Sequence, residues 1–391
     1  MELQTHEHMV ALSAATGVDV PKIEKELTQM WQQASPAKGN GGEAAGITRA
    51  CVLNLIVYAT ARDDRKEING LLDEVFTSTP SRALILVADA EATEPDLKAA
   101  VATRCQATPR GATQICGEQV TLEASGPALD AITSAIGPLL VPDVPVFLWW
   151  KDIPHYEDKL FNRLVEMSDR VVIDSLYFDH PHEDLLRLAE IIRQHPQFMR
   201  ASDLNWGRLT SWRTLIASFW DVPDYRPYLD RIERVRVEFN PPRVAPNRIA
   251  AQALLIVGWL ASRLGWEVVS SEPSDGQQIS RFEMRAGGER RIEIEMQALD
   301  NEEGRDGLAL SLRLESAGGD ASFYVARSLD SKKLETEAKV GDTLGVGRVL
   351  AYEEKTEGQR LSREVSILSR DVVYEKTVLS AAQLIATAQI N

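Results

Sequence analysis

Cysteine is nearly missing from this chain: three in 391 residues, at Cys51, Cys105 and Cys116. Three cysteines build no disulfide framework, and their spacing suits no zinc site, so neither staples nor a structural metal is expected. Long apolar runs are missing as well. The longest, IAAQALLIVGWLAS at 249–262, is shorter than a membrane span and carries Gln252. The opening MELQTHEHMV has no basic region followed by an apolar core, so no secretory signal is expected. Positive charge is in deficit: 43 basic against 58 acidic side chains give a net charge of −15. Such a surface repels phosphate backbones and anionic lipid, which argues against nucleic-acid and membrane partners. These absences predict a cytoplasmic protein.

Catalytic signatures are equally scarce. GNGGEAAG at 39–46 precedes its strand, whereas a phosphate-cradling loop follows a strand and opens a helix. GDTLGVGRV at 341–349 leads into a strand-like run and lacks the Gly-Lys-Ser/Thr ending. Both read as linker or turn. His6 with His8, and His180 with His182, are pairs without a third ligand nearby. There is no HExxH and no Gly-x-Ser-x-Gly elbow. No cofactor or metal is expected, and the chain reads as a non-enzyme.

What is present is a strong pattern. PKIEKELTQMWQQ at 21–33 has Ile23, Leu27, Met30 and Trp31 at helical spacing, and a Gly-rich linker follows at 34–46. Buried-strand runs then alternate with amphipathic helices: RACVLNLIVYA, SRALILVAD, VPVFLWW and RVVIDS are the strands. This grammar predicts an α/β region with a mainly parallel sheet. Near residues 225–240 it changes to period-two runs such as ISRFEMRA, RRIEIEMQA and GLALSLRLES, around the helix at 247–265. That predicts an α+β domain with an antiparallel sheet and packed helices. The expected division is a helical segment and linker at 1–45, an α/β domain at 46–230 and an α+β domain at 231–391.

Two short runs, 101–107 and 113–124, read as a hairpin around TPRGA; if 101–107 and 114–120 pair symmetrically about that turn, Cys105 and Cys116 face each other, but the sequence leaves the register open. A redox-sensitive bridge and two separate buried thiols both fit; the rarity of disulfides in a reducing cytosol favours separate thiols.

The tryptophans ask for more explanation. Trp149 and Trp150 end the run VPVFLWW and point to opposite faces of a strand. They and Lys151 stand at a strand's C-terminal end, where parallel sheets place ligand crevices. In DLNWGRLTSW at 203–212, Thr210 is placed to cap a helix whose stripe includes Trp212. Asn205, Trp206 and Arg208 fall outside that stripe. Each tryptophan reads either as core or as an anchor, since Trp and Arg are over-represented at protein–protein hot spots.

At these residues the sequence resembles a known family. VPVFLWWKDIP, LVEMSDRVVIDS and DLNWGRLTSWRTLIASFWD, with TPSRALILVAD and ICGEQVTLEA upstream, look like the glucose-6-phosphate dehydrogenase assembly proteins, known as OpcA. The resemblance covers roughly residues 45–265. It implies a non-catalytic partner that binds glucose-6-phosphate dehydrogenase, promotes its active oligomer and so regulates the oxidative pentose phosphate pathway. Photosynthetic members link this to redox control. Here Gly117 follows Cys116, a departure that weakens any carry-over of thiol switching. The resemblance and the residue types make Trp149, Trp150, Lys151, Asn205, Trp206, Arg208 and Trp212 the partner-binding or crevice candidates. The alternative function is a sensor of a sugar phosphate or nucleotide at the strand ends, with Lys151 and Arg208 meeting the anion.

Overall fold

The computed structural model describes residues 4–10, 18–34, 46–107, 113–155, 157–194, 200–272, 278–299, 306–328, 330–345, 347–352, 355–367 and 369–390. The TPRGA turn and most of the Gly-rich stretch at 34–46 lie outside these residues.

The elements begin with β1 (Gln4–Val10), α1 (Val20–Ala34), β2 (Gly46–Arg49), β3 (Leu53–Thr60), α2 (Arg65–Ser78) and β4 (Ser81–Asp89). Next come β5 (Asp96–Ala107), β6 (Thr113–Ser125), α3 (Leu129–Leu139), β7 (Val146–Trp150), α4 (Lys159–Glu166) and β8 (Arg170–Ile173). The middle of the chain holds α5 (Pro181–Gln194), β9 (Ala201–Asp203), α6 (Leu204–Arg208), α7 (Thr210–Ser218), α8 (Arg226–Leu229), β10 (Ile232–Phe239) and α9 (Ala251–Leu264). The strands β11 (Trp266–Ser271), β12 (Ile279–Ala286), β13 (Arg290–Ala298), β14 (Ala309–Ser316), β15 (Ala321–Arg327) and β16 (Lys333–Val340) follow. β17 (Thr343–Leu344), β18 (Val349–Ala351), α10 (Glu357–Val365) and α11 (Val372–Ile390) close the chain.

The chain forms two compact units. The first gathers Met1–Ile173, His195–Ser202 and Thr356–Arg370. Its sheet runs β1-β5-β6-β4-β3-β7-β8-β9, with β2 beside β6. From β6 through β4, β3 and β7 to β8 every pairing is parallel. The central strands β3, β4 and β7 are mostly apolar and buried, as two covered faces demand, while β6 carries polar side chains as well. The α/β reading therefore holds. The chain moves outward from β3 to β4 and β6, then returns to lay β7 on the other side of β3. That reversal is a topological switch point.

Helix α1 is tied to this sheet by buried charge. Arg82 on β4 lies 2.7 Å from Glu118 on β6 and 2.7 Å from Glu24 on α1. Glu118 also accepts from Trp31 Nε1 of α1 at 2.5 Å. The Glu118 and Glu24 carboxylates outweigh burial and hold the Arg82 guanidinium in its charged form.

The second unit gathers Asp174–Gln194, Asp203–Lys355 and Asp371–Asn391. Its sheet runs β11-β12-β13-β10-β14-β15-β16-β17, with β18 beside β16. The pairings are antiparallel except β10 with β13. Strict alternation, as in β13 and β16, buries one face and leaves the other in solvent. Helix α9, apolar all round, is buried almost throughout. It crosses α11 closely at Gly258, where a Cβ would stand 2.6 Å from the Thr377 carbonyl oxygen. Helix α5 packs on α11 and α9 in this unit. Among the described residues no helix is long and apolar enough to cross a membrane.

Candidate functional site

In the first unit, the switch point brings together the loops after β3 and β7. In dinucleotide folds this first loop is glycine-rich and its helix receives a phosphate. Here it reads Ala61-Arg62-Asp63-Asp64. Asp63 accepts from the Thr60 amide at 2.8 Å and hydroxyl at 2.9 Å, and Asp64 caps α2 through the Lys66 amide at 2.8 Å. The helix N-terminus is thus filled by the chain's own carboxylates, which oppose an incoming anion.

Trp150 lies on β7 with its ring stacked on Tyr58 of β3, centroids 3.7 Å apart, and Phe161 of α4 meets it edge-on. Trp149 carries the Lys151 ammonium over its ring at 4.6 Å. Lys151 Nζ lies 3.5 Å from Glu357 of α10. Both indoles are 1 % exposed. Burial, with Asp152, Asp158 and Asp63 adding to it, pushes the Tyr58 phenol well up. An aromatic wall ringed by carboxylates results.

In the second unit, DLNWGR builds a polar core. Asp203 is fully buried and caps α6. Its Oδ1 accepts from the Ser175 amide at 3.0 Å and the Asn205 amide at 2.8 Å. Its Oδ2 accepts from Ser175 Oγ at 2.6 Å and from the Tyr374 hydroxyl at 3.0 Å. Burial, then the nearby Asp174 charge, pushes its pKa up to about 6. Burial and Asp203 together keep Tyr374 a neutral phenol.

The network runs on. Asn205 donates to Ser175 Oγ at 3.0 Å and accepts from Gln252 Nε2 at 2.8 Å. Gln252, the polar residue inside α9, accepts in turn from the Ala309 amide at 2.9 Å. Arg208 Nη1 donates to Asp174 at 2.6 Å. Trp206 Nε1 donates to Asp371 at 3.0 Å, and the Arg213 guanidinium lies over its ring at 3.3 Å.

The seven candidates therefore divide between the units: Trp149, Trp150 and Lys151 in the first, Asn205, Trp206, Arg208 and Trp212 in the second. Six of them are buried and Lys151 is half-buried and paired, so the buried six offer little area to a partner in this conformation. Trp212 is core, as its helical stripe suggests. Thr210 is not the cap expected of it. Thr210 is the first residue of α7, after Leu209 at the cap position, and the side-chain cap in this stretch is Asp203, on the short helix α6 before it. Asp203 was legible, since an Asp before Leu-Asn-Trp is a cap signal. Ser175, Gln252 and Tyr374 join it from distant segments, with no local signal.

Cys105 and Cys116 stand directly opposite on β5 and β6 and are joined by a disulfide, their Cα atoms 4.1 Å apart. The hairpin holds, with the symmetric register; the preference for separate thiols does not, because this pairing brings both Cβ atoms within bridging reach. Gly117 has a packing reason: a Cβ there would meet Phe76 at 2.2 Å and the Ser81 carbonyl oxygen at 2.5 Å. Closing this loop, of sequence separation 11, is expected to contribute about 2 kcal/mol. Urea unfolding with and without dithiothreitol checks this; equal midpoints would mean the bridge contributes nothing.

Residues 73–190 match the family described as glucose-6-phosphate dehydrogenase subunit N-terminal domain, and residues 199–378 the one described as its C-terminal domain. The OxPP cycle protein OpcA of Nostoc punctiforme is 31% identical over 328 residues, covering 81% of this chain and 68% of that protein. This chain belongs to the OpcA family. The OpcA of Synechocystis sp. is 28% identical over 383 residues, 96% of this chain and 76% of that protein. Among solved structures, aldose-aldose oxidoreductase from Caulobacter crescentus, complexed with glycerol, aligns with a TM-score of 0.46 at 11% identity. That alignment covers 86% of this chain and 96% of the other, and is too distant to transfer a ligand or an activity.

Proposed function

We propose that this OpcA protein is a non-catalytic assembly factor that binds glucose-6-phosphate dehydrogenase and favours its active oligomer. The observation that carries this reading is the consecutive match of both dehydrogenase-subunit domains, from residue 73 to residue 378. The chemistry of the candidate cations in each unit agrees with it. A site for nucleotide or sugar phosphate needs uncommitted cations, yet Lys151 faces Glu357 and Arg208 is paired with Asp174. The sensor alternative has no observation in its favour.

On this reading the candidate residues shape the surface instead of touching the partner. Trp149, Trp150 and Lys151 hold the loop after β7, and Asn205, Trp206, Arg208 and Trp212 hold α6 and α7. Activation requires tighter binding to the productive state of the dehydrogenase than to its inactive state. Light scattering on the chromatographed mixture, with assay of the fractions, tests this. A co-eluting complex with raised dehydrogenase activity is expected. Separate peaks with unchanged activity, in reducing and oxidising buffer alike, would overturn the reading.

A further inference from the structure

The buried polar network of the second unit does more than cap α6. The cap itself needs only the Asn205 amide on Asp203 Oδ1. Other contacts converge on a three-residue 3-10 turn, Ser175–Tyr177. Ser175 gives Asp203 its amide at 3.0 Å and its hydroxyl at 2.6 Å, and Asn205 donates to the same hydroxyl at 3.0 Å. Asp174 caps the turn by accepting from the Leu176 amide at 3.2 Å, and it takes the Arg208 guanidinium at 2.6 Å. That guanidinium lies 5.9 Å from the centroid of the Tyr177 ring.

Ser175, Asp203, Asn205 and Arg208 are all buried, yet the ring at the end of the turn is outside. Tyr177 is 64 % exposed, and the other aromatic rings among the described residues are buried or half-buried. One exposed apolar residue calls for no explanation by itself. Its support does. Burying a carboxylate is costly unless every contact is made, and a turn that only joined β8 to α5 could be held by its own backbone. Here buried side chains fix the turn from below, and one of them stands against the ring that the turn carries.

The surroundings suit a contact surface. A Cβ on Gly307 would stand 3.5 Å from Leu176 Cδ1, and the Gly307 amide donates to the Pro241 carbonyl oxygen at 3.2 Å. Farther on, Arg248 reaches Glu183 at 2.6 Å, and the Ile249 amide reaches His182 at 3.0 Å. The loop 241–248 is thus held at both ends beside the segment that carries Tyr177, and it exposes Arg243 and Val244. An aromatic ring and a guanidinium on ordered backbone have the composition of a protein–protein hot spot. Tyrosine supplies a large contact area for two side-chain torsions, and a ring already ordered loses little freedom when a partner closes on it.

We infer that Tyr177 is the anchor by which this chain grips the dehydrogenase, its ring entering an apolar-walled pocket of that enzyme and its hydroxyl meeting an acceptor there. Arg208 is a positioning residue that acts through Tyr177. This role rests on the assembly-factor reading, and it supplies a surface contact that the buried tryptophans do not.

Calorimetric titration of the full chain into glucose-6-phosphate dehydrogenase tests it, with urea unfolding of each variant alongside. Y177A should weaken the complex at least about 30-fold, with a nearly unchanged urea midpoint because most of the ring is in solvent. Y177F keeps the ring and should lose no more than about tenfold. L344A truncates a side chain that is 68 % exposed elsewhere in the same unit, and should bind like wild type. R208K keeps a cation on Asp174 but gives up the planar group over the ring. It should weaken binding about 3- to 10-fold in the wild-type chain and hardly at all in Y177A.

A wild type that binds and a Y177A that binds as tightly would overturn the anchor and leave the assembly reading standing. A wild type that does not bind overturns both. Equal losses from R208K in the two backgrounds would show a structural role for Arg208 and overturn its action through Tyr177. A wild-type dimer that Y177A converts to monomer, with dehydrogenase affinity intact, would assign the ring to a second copy and overturn the anchor as well.

Discussion

Replacing Asp203 by alanine is expected to lower stability by about 4 kcal/mol, a large share of the roughly 5–15 kcal/mol that holds a domain folded. The carboxylate receives two backbone amides on Oδ1 and two hydroxyls on Oδ2, all away from water. Truncation leaves those donors buried without an acceptor, at about 1–3 kcal/mol each, and removes the cap of α6. Part of that is offset, because alanine also removes a buried charge. Asp203→Asn behaves differently. Its Oδ1 still receives both amides and keeps the cap of α6, while the Ser175 and Tyr374 hydroxyls lose the acceptor that Oδ2 gave them. It should cost about 2 kcal/mol, roughly half the alanine effect. Chemical unfolding of both variants checks the contrast. An alanine variant as stable as the asparagine one would mean the two amide contacts contribute little.

This core shows what the sequence made legible and what it did not. Strand and helix alternation through RVVIDS is local information, carried by apolar periodicity, and it reads correctly. The hairpin of β5 and β6 is legible too, but the sequence leaves its register open, and only the strand pairing sets Cys105 opposite Cys116. The setting of Asp203 does not follow from anything local, because Ser175, Gln252 and Tyr374 arrive from segments far apart in the chain. Nor does the return of α10 to the first unit, where Gly358 packs against Leu71 and Glu74 of α2. A capping box of Thr356 and Gln359 announces that helix but not its destination. Tryptophans are ambiguous for a related reason. A ring large enough to anchor a partner is equally large enough to wall a crevice, and only the residues packed on both sides decide. For Trp150 these are Tyr58 and Phe161; for Trp206 they are Tyr374, Arg213 and Asp371.

The second large effect is on pH dependence, and it is hidden in the wild type. His182, on α5, accepts the Ile249 amide at 3.0 Å through Nε2, so it must be neutral. Burial, with the Arg248 charge adding, lowers its pKa from 6.5 to about 4. A depressed value contributes stability above pH 6.5 that is lost as pH falls towards 4, about 3 kcal/mol in all. Asp203 has the opposite sign. Its pKa is raised from 3.8 to about 6, so its contribution is present below pH 4 and lost as pH rises through 6, again by about 3 kcal/mol. Between pH 4 and 6.5 the two slopes nearly cancel. Asp203→Asn should expose the histidine and make stability fall steeply on acidification. His182→Gln, which keeps an acceptor for the Ile249 amide, should expose the carboxyl and make stability rise from pH 6 to pH 4 relative to wild type. The double variant should return to the wild-type slope. Urea unfolding at several pH values across this window reads all four chains. Parallel curves would show that neither burial perturbs its group as the geometry requires, because an unperturbed histidine and carboxyl titrate alike in folded and unfolded chains and cannot tilt the balance between them.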